Sequence, residues 1–152
     1  MKNKILKTFL VILGVAVFST LTMVIGSNIM YRRHVQITTA AQSAPTHIVQ
    51  NFYTWYISYS GNPLVDQAYQ SSEYLSPEFI LYLNDFTQSG EWSYDPILCA
   101  QNIPAEVTAF PAQISVEKAL VEVKTSFVDH KLAVELTKTD GNWRINRVIC
   151  DF

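Results

Sequence analysis

The sequence predicts an α+β protein: an N-terminal transmembrane helix, then two to three helices packed on an antiparallel sheet of about four strands. Three observations predict it. The 24 residues from Thr8 to Tyr31 carry no charge. Beyond them, apolar residues recur at helical spacing over the first half of the chain, and alternate with period two over the second half. The divisions so drawn are 1–31, a cytoplasmic stub and signal anchor; 32–45, a linker; and 46–152, an exported α+β domain.

The uncharged stretch is rich in Leu, Val, Ile and Phe, from Phe9 to Ile25. A helix rises 1.5 Å per residue, so roughly 20 residues cross a hydrocarbon core of about 30 Å. A cleavable secretory signal has a shorter apolar core, roughly 7–15 residues, with a small-residue site close behind it. Val24-Ile25-Gly26 is the nearest candidate for such a site, and the length favours a retained anchor. Lys2, Lys4, Lys7 and the terminal amine outweigh Arg32 and Arg33, which keeps the N-terminus in the cytoplasm and exports the rest. This places a single-pass protein in the plasma (inner) membrane, its C-terminal domain on the periplasmic or extracellular side.

Of the 152 residues, 49% are hydrophobic and 16% charged, which excludes general disorder. The first 45 residues hold five bases and no acid; from Thr46 onward 13 acids face six bases, a balance of −7. A domain so charged repels phosphates, and nucleic acid is excluded as a partner. Its 107 residues suffice for one core.

Within it, Ile48, Phe52, Trp55, Tyr56 and Tyr59 predict a helix with Gln50, Asn51, Thr54 and Ser58 largely on the other face. Gly61 and Asn62-Pro63 stop it, and a short helical stretch succeeds it over Leu64–Gln70. Ser76-Pro77-Glu78 is a helix start, with a capping hydroxyl, proline at the first helical position and an acid at the positive end of the dipole. That helix carries Phe79, Ile80, Leu83 and Phe86 and ends near Ser89-Gly90. Residues 92–104, with two prolines and no period, read as a packed loop. A strand bent at Pro111 runs through Glu106–Val116, a second through Ala119–Phe127, and a third carries Leu132, Val134 and Leu136. Asp140-Gly141 turns the chain into a last strand with Trp143, Ile145, Val148 and Ile149, whose broken parity predicts a bulge near Asn146-Arg147.

Cys99 and Cys150 are the only cysteines, and an even pair in an exported domain reads as a disulfide; two buried thiols are the alternative. The three histidines, His34, His47 and His130, have no metal-ligand spacing, and His130 beside Asp129 reads as a solvated hairpin tip. No nucleophile elbow or phosphate loop is present, and no cofactor or metal is expected. Asp95 precedes Pro96 in the loop. It serves either as an Asx-type brace on nearby amides, the usual fate of a loop aspartate, or as a general base or cation ligand with Tyr94 or Tyr56 as hydrogen-bond donor. The candidate binding residues are Trp55, Tyr56, Tyr94, Asp95 and Gln101; the aromatic helix lines either a cavity or the core.

Three stretches, Phe52-Tyr53-Thr54-Trp55-Tyr56, Tyr94-Asp95-Pro96-Ile97-Leu98-Cys99-Ala100-Gln101 and Trp143-Arg144-Ile145 with Cys150, resemble domain-of-unknown-function family 3828 of bacterial exported proteins. The element order is similar to the wider nuclear transport factor 2-like (cystatin-like) superfamily. The resemblance implies a curved sheet wrapped around helices as a cone, in an anchored or lipoprotein envelope protein, and implies no activity. Asn102 stands where that family often has an acid, which weakens a carboxylate role for the loop. The leading expectation is a non-enzymatic, membrane-anchored extracytoplasmic domain that binds a protein or small molecule. The alternatives are a ketosteroid-isomerase-like or hydrolase-like enzyme with Asp95 as general base in a cone pocket, and an envelope-assembly scaffold.

Overall fold

Helix α1 covers 44–58 because Val49, Phe52, Tyr53 and Tyr56 recur at helical spacing and all four are wholly buried. The computed structural model describes residues 44–90 and 93–150; the predicted stub, membrane span and nearly all of the linker lie outside them. Among the described residues no helix is long and apolar enough to cross a membrane.

The buried stripe of α1 is rotated from the expected one. Val49 and Tyr53 are fully inside, whereas Ile48 and Trp55 are only partly covered. The rotation carries Gln50, expected on the solvent face, inward to the sheet. After α1 the Asn62 side chain accepts from the amides of Leu64 (3.0 Å) and Val65 (3.1 Å), and Gln67 turns left-handed at φ 55°. The expected helix over Leu64–Gln70 is thus capped at its start by Asn62 but continues only as turns and a 3-10 segment, Ala68–Ser71, since Gln67 leaves the helical region.

Helix α2, Pro77–Ser89, starts and stops where expected. Ser76 Oγ accepts from the Phe79 amide at 3.1 Å, Pro77 leads, and Gly90 closes the helix at φ 70°. Phe79 and Leu83 are buried beneath it.

Among the described residues there are five strands rather than about four: β1 Val107–Ala109, β2 Gln113–Ser115, β3 Lys118–Thr125, β4 Lys131–Thr139 and β5 Asn142–Ile149. The extra one arises because the bend at Pro111 divides the first expected strand, and both pieces pair with β3. The sheet is antiparallel in the order β1-β3-β4-β5, with β2 on the same edge as β1. Ala119, Val121 and Val123 lie opposite Leu136, Val134 and Leu132, and all six face the helices as one core. Asp140 (φ 51°) and Gly141 (φ 80°) make the β4–β5 turn. On β5 the register steps from Arg147 opposite Glu135 to Ile145 opposite Leu136, so Asn146 is the expected bulge.

Both edges are covered in part. Gln50 Nε2 donates to the Val107 carbonyl (3.0 Å) while its Oε1 accepts from the Ala109 amide (2.9 Å). Thr46 Oγ1 bonds Phe110 O and Ala112 N in the same way. Two side chains of α1 thus imitate a neighbouring strand. On the far side, Ile145 N donates to Tyr74 O and Ser76 N to Ile145 O, both at 2.8 Å.

Candidate functional site

The loop after α2 is held at its first turn by Asp95. Pro96 keeps Asp95 extended, which leaves its carboxylate free to reach forward. Oδ1 accepts from the Ile97 amide at 2.7 Å and the Leu98 amide at 3.1 Å, while Oδ2 accepts from the Tyr56 hydroxyl at 2.7 Å. The Asp95 amide donates to Ala100 O at 2.9 Å, closing the loop on itself. Burial pushes the Asp95 carboxyl above the ordinary aspartate value even though all three bonds to it pull the other way. Burial, followed by the charge of Asp95, raises Tyr56 and Tyr53, so both stay neutral donors.

Three contacts hold the rest of the loop, and of these the sequence revealed only the disulfide. Tyr53, wholly buried, donates to Ile97 O at 2.8 Å. Cys99, at φ 53°, is bonded to Cys150, with Cα atoms 5.3 Å apart and a sequence separation of 51; this is the expected disulfide. His130 is not a solvated tip: it is half-buried, its Nε2 meeting Cys99 O at 3.1 Å and its Nδ1 meeting Thr125 Oγ1 at 2.9 Å. A carbonyl only accepts, so Nε2 carries the proton. The one available signal was Thr125, a polar residue on the inward parity of β3 that needed a partner.

Of the five candidate residues, Tyr94, Asp95 and Gln101 border one hollow of about 180 Å³ together with Asn62 and Asn102, and Tyr56 reaches it through Asp95. Trp55 stands apart, beside Ser71–Tyr74. The hollow is below the roughly 300–1,000 Å³ of sites that enclose a small molecule. The aromatic helix fills the interior: Phe52 lies 5.4 Å from Tyr53 and 5.7 Å from Tyr56, centroid to centroid, with all three wholly buried. A larger hollow, about 390 Å³, lies on the face of the sheet away from the helices, between Gln113, Lys118, Leu120 and Glu135. Nothing in the sequence signalled it. Among the described residues no group of three His, Cys, Asp or Glu could hold a metal.

This arrangement defines a class by fold: an α+β domain with helices on one face of an antiparallel sheet and a cysteine-linked loop beside them. No protein-family model matches the chain, and no curated protein matches it. Two solved structures are similar in fold. One is a chain of the type VI native effector–immunity complex Tae3–Tai3 from Ralstonia pickettii, 23% identical, with TM-score 0.59, covering 73% of this chain and 98% of that one. The other is a protein of unknown function from Bacteroides thetaiotaomicron, 15% identical, with TM-score 0.55, covering 78% of this chain and 98% of that one.

Proposed function

We propose that this chain is a membrane-tethered domain, held outside the cytoplasm, that binds a protein partner and performs no catalysis. The observation that carries the non-catalytic part is the engagement of Asp95. A general base needs a lone pair aimed at a substrate proton and a separate donor for the developing oxyanion. Asp95 spends its oxygens on Ile97, Leu98 and Tyr56, and the nearest donor, Tyr56, is bound to the base itself. The raised pKa of Asp95 by itself would suit a base, but it results from burying a brace.

The binding part is favoured by fold analogy, since one similar structure is an effector–immunity complex, a protein–protein assembly. The tether rests on the 24 uncharged residues and the lysines before them, and the Cys99–Cys150 bond favours an oxidising compartment. The family 3828 and cone-fold resemblance remains our working assignment on the same sequence stretches. Native mass spectrometry of the detergent-extracted chain, with protease accessibility in intact cells, tests the whole. A co-purifying protein subunit and an accessible domain are expected. A turned-over small molecule whose conversion stops in Asp95→Asn, or a domain protected from protease, would refute it.

A further inference from the structure

The charges of the domain are segregated along the chain. From Thr46 to Glu117 there are eight acids and no Lys or Arg; all six bases fall between Lys118 and Arg147, on the three long strands and their turns. The helices and the loop therefore form a half with no cation of its own. On one flank of α2 runs a ladder of rings: Phe79 stacks on Tyr82 (5.8 Å, 9°), Tyr82 meets Phe86 (6.2 Å), and Phe86 meets Tyr94 of the loop edge-on (6.0 Å, 65°). Phe79 is rooted in the core, while Tyr82 is 50% and Tyr94 41% exposed.

Glu78 and Asp85 stand four before and three after Tyr82, on the same side of the helix, and both are exposed. Arg144 donates to Glu73 O (2.7 Å) and Leu75 O (3.5 Å) and borders a separate groove with Pro77 and Leu81, across the helix from the ladder. A half-exposed tyrosine on the helix with carboxylates beside it, and a second on the adjoining loop, fit a guanidinium or ammonium: the ring faces attract the cation and the acids neutralise it. They repel phosphate and anionic lipid for the same reason.

We propose that the Phe79–Tyr82–Phe86–Tyr94 flank, with Glu78 and Asp85, is the docking surface for a partner protein that presents Arg or Lys side chains. This rests on the reading of the chain as a protein-binding domain and specifies the face and the chemistry of the partner. The test is selection of a random-peptide phage library on the full chain in detergent micelles. The selected peptides are then measured against Tyr82→Ala/Tyr94→Ala, Glu78→Lys/Asp85→Lys and, on the opposite sheet face, Leu120→Ala.

The expected result is a selected pool rich in Arg and Lys, bound about tenfold more weakly by each of the first two variants, unchanged in Leu120→Ala, and weakened by salt. All substituted positions of α2 are exposed, and unchanged melting of the charge-reversed chain shows that the fold is intact. Neutral or acidic selected peptides, or basic ones indifferent to the ladder, overturn this inference and leave the protein-binding reading standing. No selection on any face overturns both. Ladder-dependent binding to phosphatidylcholine vesicles in place of peptides overturns it in favour of the bilayer.

Discussion

Replacing Asp95 separates its role as a brace from its charge. Asp95→Ala deprives three donors at once, the amides of Ile97 and Leu98 and the Tyr56 hydroxyl. An abandoned buried donor costs about 1–3 kcal/mol. Water entering the hollow can satisfy one of the three, and the variant also escapes the cost of a buried charge. The net loss is about 2–3 kcal/mol, or roughly 10 °C of melting temperature in a domain of this size. Asp95→Asn keeps one oxygen for the two amides and offers its NH₂ to the Tyr56 oxygen, so it stays within about 1 kcal/mol of the parent.

The pH dependence comes from the raised carboxyl. A group whose folded pKa lies above its unfolded one contributes stability that is complete below the unfolded value and is lost as pH rises through the folded value. The parent therefore gains on Asp95→Asn as pH falls from neutral toward about 4. Circular-dichroism melts of the three chains at both pH values check this. Asp95→Asn as damaging as Asp95→Ala, or a gap that moves against the parent in acid, would refute the brace.

Three other outcomes are expected. Cys99→Ser with Cys150→Ser opens the link across 51 residues and lowers denaturant stability by about 4 kcal/mol in the chain-entropy account; non-reducing mass spectrometry of the parent finds the bridge and no alkylatable thiol on these two residues. Gln50→Ala uncovers Val107 O and Ala109 N on the β1 edge, costing about 1–2 kcal/mol and speeding hydrogen exchange at Ala109 before the central strands. Ser76→Ala removes both the α2 cap and the bond to Asn146 Oδ1 (2.9 Å), a loss of about 1–2 kcal/mol measured by urea unfolding.

The strand half was legible because its signals are local. Alternation over Lys118–Thr125 and Lys131–Thr139, one Asp-Gly turn and one break of parity suffice to give the register, the hairpin and the bulge at Asn146. Helix α2 carried its own start and stop in Ser76-Pro77 and Gly90. Helix α1 was legible in kind but not in rotation. Aromatic residues at five of the eight positions of Phe52–Tyr59 leave the apolar stripe broad, and its angle is fixed by the pair of bonds from Gln50 to an edge strand 57 and 59 residues away. The same distance hid His130. Thr125 and Lys131 frame it locally as a turn, and only the arrival of Cys99 O, 31 residues earlier in sequence, turns a hairpin histidine into a bridge. Asp95 could be placed on its brace because that bond is made within three residues; its tie to Tyr56 could not.

These long-range ties converge on one stretch. The segment Asp95–Ala100 is held by the Asp95 oxygens, by Tyr53 on Ile97 O, by His130 on Cys99 O and by the disulfide, which together anchor it to three elements: α1, the β3–β4 turn and the end of β5. Ile97 and Leu98 root this loop in the core, Cys99 and Ala100 pack against it, and the polar and covalent restraints come in addition. Their effect is to fix Tyr94, the residue just before this segment and the last rung of the ladder from α2. A partner meeting that ladder would not have to order the loop, and the freedom lost on binding would be correspondingly smaller. The disulfide and the docking face then act as one device. Reducing Cys99–Cys150 should weaken peptide binding at Tyr82 and Tyr94 without altering either ring's own contacts, and equal binding by oxidised and reduced chains would separate the two.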